Sequence, residues 1–177
     1  MKRSYLSPAT AKLIGAIQIE LRPGHNWISR YVGRVGLFTK LLLGNGSLKP
    51  QLRAALESEG VVLVEEGLPG SIRYANFKAP GKRFKGKITG ECFGLGISER
   101  RLAVYCRSGR VKLIDQPFTE PRLSAIDVSL DGEERVALRI DFDRGVVPKV
   151  SGQMTIRAKT PNAAKVVEEL SARLPRG

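Results

Sequence analysis

The chain is short of the residues that build metal, redox or membrane-spanning structures. It has two cysteines, one histidine and one tryptophan in 177 residues. Two cysteines exclude a disulfide-stapled scaffold. The single histidine, His25, follows the turn residues Pro23-Gly24 and has no second histidine to share a metal or a proton relay, so no metal or other cofactor is expected. Aromatic residues are 6% of the total, which leaves few rings for stacking bases. Solid apolar runs are short, such as Leu41 to Leu43 and Val61 to Val64, whereas a membrane-spanning helix needs about 20 apolar residues. The Lys2-Arg3 pair does not open a secretory signal, because Lys12, Glu20 and Arg22 interrupt the apolar stretch behind it. The expected location is the cytoplasm with thiols reduced, and attachment to a membrane surface stays open.

Acidic residues are scarce too. There are 17 Asp+Glu against 30 Lys+Arg, a net charge of +13, above the roughly 2–8 of an ordinary small domain. The excess is local. Residues 1–88 hold 15 basic and 5 acidic side chains and residues 89–177 hold 15 and 12, so the halves carry +10 and +3 of the +13. Within the first half, residues 1–50 have eight basic residues and Glu20 as the single acid, and residues 67–90 have six basic residues and no acid. So uneven a surface points to an anionic partner: nucleic acid, an anionic lipid surface or an acidic protein.

What is there is a change of period. Up to Gly60 the spacing is helical. Ser7-Pro8 opens a helix with Leu13, Ile14, Ile17 and Leu21 on one face, Asn26 caps a second with an Ile28/Val32/Val35/Phe38/Leu42 stripe, and a third runs from about Pro50 to Glu59 with Gly60 behind it. From Val61 the period is two. Val61–Glu65 reads as a short strand or its run-in. Strands are then expected over Ser71–Phe77, Lys87–Ile97, Leu102–Cys106, Val111–Pro117, Leu123–Leu130, Val136–Phe142 and Gly152–Lys159. Thr160-Pro161 opens a closing helix with Ala163, Val166, Val167, Leu170 and Leu174 inward. The expected organisation is a basic helical extension over residues 1–60 and a mainly β domain over residues 61–177. The domain is α+β in class: a seven-stranded antiparallel barrel or sandwich closed by a C-terminal helix.

The string Phe93-Gly94-Leu95-Gly96-Ile97-Ser98-Glu99-Arg100-Arg101-Leu102, set in seven strands and a helix, resembles a pleckstrin-homology-like domain of the GRAM or bacterial kind. It is similar to the "glycine, apolar, x, apolar, Thr, x, x, Arg, Leu" string of such domains, with Ser98 in place of Thr and Gly96 as an extra glycine. The resemblance runs from about Val61 to Leu174. It implies a non-enzymatic module that binds lipid headgroups, peptides or proteins. It also implies that the loop between the first two barrel strands supplies cationic contacts, which here would be Lys78, Lys82, Arg83, Lys85 and Lys87, with Phe84 inserting among headgroups.

A second surface is the basic amphipathic helix, where Trp27, Arg30, Arg34, Phe38 and Lys40 are placed to meet a membrane or a partner. Its apolar stripe is equally suited to packing on the barrel or on another subunit. No nucleophile–base–acid set emerges, and no enzyme is expected. Pairing Leu95 with Val104 puts Cys106 opposite Phe93 and Cys92 on the other face, so reduced thiols are expected. Asp141 and Asp143 read as salt-bridged surface acids beside Arg139 and Arg144. The leading function is recognition of an acidic surface, an anionic lipid headgroup or an acidic protein partner. Nucleic-acid binding, and a structural or oligomeric role for the N-terminal helices, stay open beside it.

Overall fold

The computed structural model describes residues 46–107, 109–145 and 147–175. The first two expected helices, and with them His25, Trp27, Arg30, Arg34, Phe38 and Lys40, lie outside the described residues. The third is α1, Pro50–Ser58, with proline at its start and Gly60 behind it in the left-handed region at φ 81°.

The chain then enters β1, Val61–Ala79. The sequence divides this stretch into two strands around Gly67, Pro69 and Gly70. The structure joins them into one 19-residue strand. It bends through register shifts at Val61/Leu63 and Glu65/Leu68 against one neighbour and at Ala75/Lys78 against the other. Gly67 takes φ 69° inside the second shift: the residue that reads as a strand breaker is a bulge. The next elements are β2 (Lys82–Phe84), β3 (Ile88–Ser98), β4 (Arg101–Cys106) and β5 (Val111–Pro117), followed by β6 (Ile126–Leu130), β7 (Arg135–Asp141), β8 (Ser151–Lys159) and α2 (Ala163–Arg173). The expected strand over Leu123–Leu130 is shorter, because Pro121–Ala125 forms a 3-10 turn that buries Leu123 and Ala125.

Seven strands form one antiparallel sheet in the order β5-β4-β3-β1-β8-β7-β6, and the short β2 pairs with the end of β1. The class is α+β and mainly β. The sheet curls into a half-barrel rather than a closed one, with β5 and β6 as its edges among the described residues. Its inner face carries the alternating residues that the sequence marks: Phe93, Leu95 and Ile97 from β3, Val136, Leu138 and Ile140 from β7, and Met154 and Ile156 from β8 are all buried. Helix α2 packs on β6 and β7 and buries Ala163, Val166 and Leu170. The expected register also holds. Phe93 pairs with Cys106, Leu95 with Val104 and Ile97 with Leu102, and both cysteines are buried thiols outside any disulfide. Asp141 and Asp143 differ from expectation. Each accepts a backbone N–H, from Asp143 at 3.0 Å and from Gly152 at 2.9 Å, while Arg144 pairs with Asp127. Loop geometry, not charge, uses these two carboxylates.

The outer face of β3 is covered as well. Gly46 to Lys49 runs across it as a strap, and α1 follows, so that Leu48, Leu56, Ala103 and Tyr105 form a second small core. Two glycines permit this. A Cβ on Gly94 would stand 2.5 Å from the Gly46 carbonyl oxygen and 2.8 Å from Leu48, and one on Gly96 would stand 2.4 Å from Leu56. The extra glycine of the Phe93–Leu102 string is therefore the seat of α1. Gly94→Ala should cost about 1–3 kcal/mol as overpacking against a backbone atom. Gly90→Ala, where the added carbon meets nothing within 4 Å, should stay within about 0.5 kcal/mol of wild type. Urea unfolding of both variants measures the difference, and equal stabilities would contradict the docking of the strap.

Candidate functional site

The basic stretch Lys78–Lys87 is a hairpin rather than an open loop. Pro80-Gly81, with Gly81 at φ 74°, is the pair that a type II turn favours, and it brings Ala79 opposite Lys82, Lys78 opposite Arg83 and Phe77 opposite Phe84. Successive residues of a strand point to opposite faces. Lys78 and Arg83 therefore share the solvent face, while Phe77 and Phe84 share the face turned to the core. The Phe84 ring lies 6.1 Å from Phe77 and 5.3 Å from Tyr74, and Phe77 meets Phe142 edge-on at 5.5 Å. Lys87 places its ammonium 4.8 Å over the Phe84 ring. Phe84 thus packs partly buried against the core, and does not project as a membrane-inserting residue would. It anchors the hairpin.

The cations remain outside. Lys78, Arg83, Lys85 and Lys87 are exposed and Lys82 is half-buried. Among the described residues no ion pair uses Lys78, Arg83, Lys85 or Lys87. The acid nearest to them in the chain is Glu91, and it is already taken. It is 4% exposed and accepts two hydrogen bonds from the Arg107 guanidinium, at 3.1 and 2.7 Å. That fork-on-carboxylate geometry is the strong form of an ion pair. Glu91 therefore offsets none of the hairpin charge. Mutual repulsion of exposed cations is weak in water, about 1 kcal/mol at 4 Å, so the fold tolerates the cluster.

Two further cations are placed here by the fold alone. Ser151 pairs with Lys78 in the register of β1 and β8, so the loop before β8 lies beside the hairpin and carries the exposed Lys149. Arg107, at φ 54°, leaves β4 at the same end of the half-barrel. Neither is near residues 78–87 in sequence, and no short-range signal marks them.

Beneath the cations lies a buried polar layer. Burial pushes the Tyr74 hydroxyl up to about 12, with the charges of Cys106 and Glu91 adding to it. Burial and Glu91 likewise push the Cys106 thiol up to about 12. Such a thiol is not a nucleophile at neutral pH. Among the described residues no group of three or more His, Cys, Asp or Glu could hold a metal ion. The arrangement suits attraction of negative charge.

Arg107→Ala should destabilise the protein by about 1–3 kcal/mol, because a buried carboxylate loses its donors. Glu91→Gln paired with Arg107→Ala should recover part of that loss, and denaturant unfolding of the two variants measures it. Tyr74 and Cys106 hold their protons more tightly folded than unfolded, so they favour the folded state below their ordinary values and lose that contribution as pH rises towards about 12. Stability measured from pH about 9 upward should fall, and less steeply in Tyr74→Phe. Compared with protein-family models and with curated proteins, the chain matches none.

Proposed function

We propose that this chain is a non-enzymatic binding module of the pleckstrin-homology-like kind, and that its basic hairpin recognises an acidic surface. Anionic lipid headgroups are the partner of first choice and an acidic protein face is the other. The observation that carries the reading is the set of exposed cations Lys78, Arg83, Lys85 and Lys87, which have no acidic partner among the described residues and sit on a hairpin whose aromatic side is fixed to the core. Seven strands closed by a C-terminal helix support the kinship, since that is the element order the resemblance implies.

A module of this kind works by additive attraction. Each Lys or Arg near an anionic bilayer contributes about 1 kcal/mol, and the contribution fades within a Debye length of about 8 Å at physiological salt. The aromatic anchor lets the hairpin present its cations as a set, so little ordering is needed on contact. With Phe84 turned inward, binding is electrostatic at the surface and does not depend on ring insertion. The protein then sits in the cytoplasm and at a membrane face in proportion to the lipid's charge. No helix among the described residues is long and apolar enough to span a membrane.

Co-sedimentation with neutral and anionic vesicles tests this. Wild type should bind the anionic ones and release at high salt. Reversing Lys82, Arg83, Lys85 and Lys87 to Glu should weaken partitioning by at least about a thousandfold, since the loss of four cations at about 1 kcal/mol each gives that much before the repulsion of the new carboxylates is added. A folded quadruple variant that binds vesicles like wild type refutes the hairpin's role. Unchanged vesicle binding together with lost binding to DNA or RNA would assign the charge to nucleic acid instead.

A further inference from the structure

We propose a second binding site, for a small phosphate monoester with an apolar substituent, on the outer face of the sheet in the groove between α1 and strands β4 and β5. The groove has a volume of about 420 Å³, inside the roughly 300–1,000 Å³ range of small-molecule sites. It is independent of the hairpin's role.

The groove exists because two segments are clamped together. Gly109, ahead of β5, closes on the strap before α1: a Cβ on it would stand 3.0 Å from the Lys49 side chain and 3.2 Å from the Ser47 carbonyl oxygen. This brings Lys49 and Arg110 to one rim. Leu52 and Ala55 of α1, with the ring of Tyr105, give the groove apolar surface. Tyr105 is 8% exposed.

The charges select the ligand. Asp115 is the one acid among the described residues lining the groove, and both of its oxygens are already engaged. It accepts from Tyr105 at 2.8 Å and Arg101 at 3.0 Å, and lies 3.2 Å from the Lys112 ammonium. Arg101 also pairs with Glu59, at 2.8 and 3.2 Å, so its charge is matched by two carboxylates. Lys49 and Arg110 are exposed and take no ion pair among the described residues. Two unspent cations on one rim match a dianion better than a monoanion, and a guanidinium forks onto phosphate oxygens. The apolar surface behind them takes the ester's carbon part. A phosphate monoester joins those two features in a molecule of this size. The groove is concave, so a flat bilayer does not reach its apolar surface.

The probe is phenyl phosphate, titrated into the full chain while backbone amide shifts are followed by NMR. Saturable shifts should fall on residues 49–55 and 109–115. The Lys49→Ala/Arg110→Ala double variant should bind at least about tenfold more weakly, the worth of one charge-assisted hydrogen bond. The Lys82/Arg83/Lys85/Lys87→Glu variant should bind phenyl phosphate as wild type does, and inorganic phosphate should bind more weakly than the ester. Both altered residues are exposed, so the double variant keeps its fold, which its amide spectrum checks. The proposal is overturned by no saturation at millimolar probe, by unchanged affinity in the double variant, by shifts confined to residues 78–87, or by inorganic phosphate binding as tightly. Vesicles containing phosphatidic acid separate the sources of the phosphate. The double variant should bind them as wild type does, and a loss there would make the groove part of a lipid surface and overturn the soluble-ligand assignment.

Discussion

The structure depends on one strand being shared by both halves of the sheet. At Gly70–Arg73, β1 pairs on one side with β3 and on the other with β8. Residues before this segment pair with β3 and not with β8, and residues after it pair with β8 and, at the far end, with β2. The strand must therefore bend where it changes partners, and Gly70 lies at the junction. A Cβ there would stand 1.9 Å from the Arg157 carbonyl oxygen, so a side chain would push β8 away. Without that approach the inner faces of β3 and β7 would not converge on one core. The curl and the burial of Phe93 against the β8 side result from it.

The bend also decides where charge collects. The far end of β1 runs on past its last β8 partner into the basic hairpin, and the bulge between Ala75 and Lys78 turns Phe77 inward beneath it. The aromatic contacts of Tyr74, Phe77, Phe84 and Phe142 tie this projecting end to the core. Glu91 is the carboxylate that could neutralise the end, and it is held inward by Arg107. Elsewhere the acids are largely spent on local partners, such as Asp127 on Arg144, Asp131 on Arg157 and Glu134 on Lys159. An uneven sequence charge thus becomes an uneven surface charge, because the balanced half pairs its charges internally.

Much of the fold is legible in the chain because period-two apolar patterning survives wherever one face of a strand is buried. Strands β3, β4, β5, β7 and β8, the two described helices and the pairing of Phe93 with Cys106 fall out of alternation, turn residues and proline or glycine punctuation. The misreadings share a cause. Gly67, Pro69 and Gly70 signal a break in any local reading, yet they are a bulge and a close approach inside one strand. The β1–β2 turn reads as an open loop because three-residue β2 is too short to show a period. Asp141 and Asp143 read as charge partners, while their oxygens serve backbone N–H groups that only the folded loop brings near.

The sequence by itself determined the class, the inner core, the location of the excess charge and the identity of five hairpin cations. Those come from composition and from neighbours a few residues apart. The tertiary structure alone decided that Phe84 is an anchor, that the loop carrying Lys149 lies beside the hairpin, and that Gly94 and Gly96 seat a strap and helix on the sheet's outer face. It alone made the groove that Lys49 and Arg110 rim. The physical reason is distance along the chain. Lys49 and Arg110 lie 61 positions apart in the sequence, and no local periodicity encodes a contact whose partners meet only after β1 has bent and the sheet has curled.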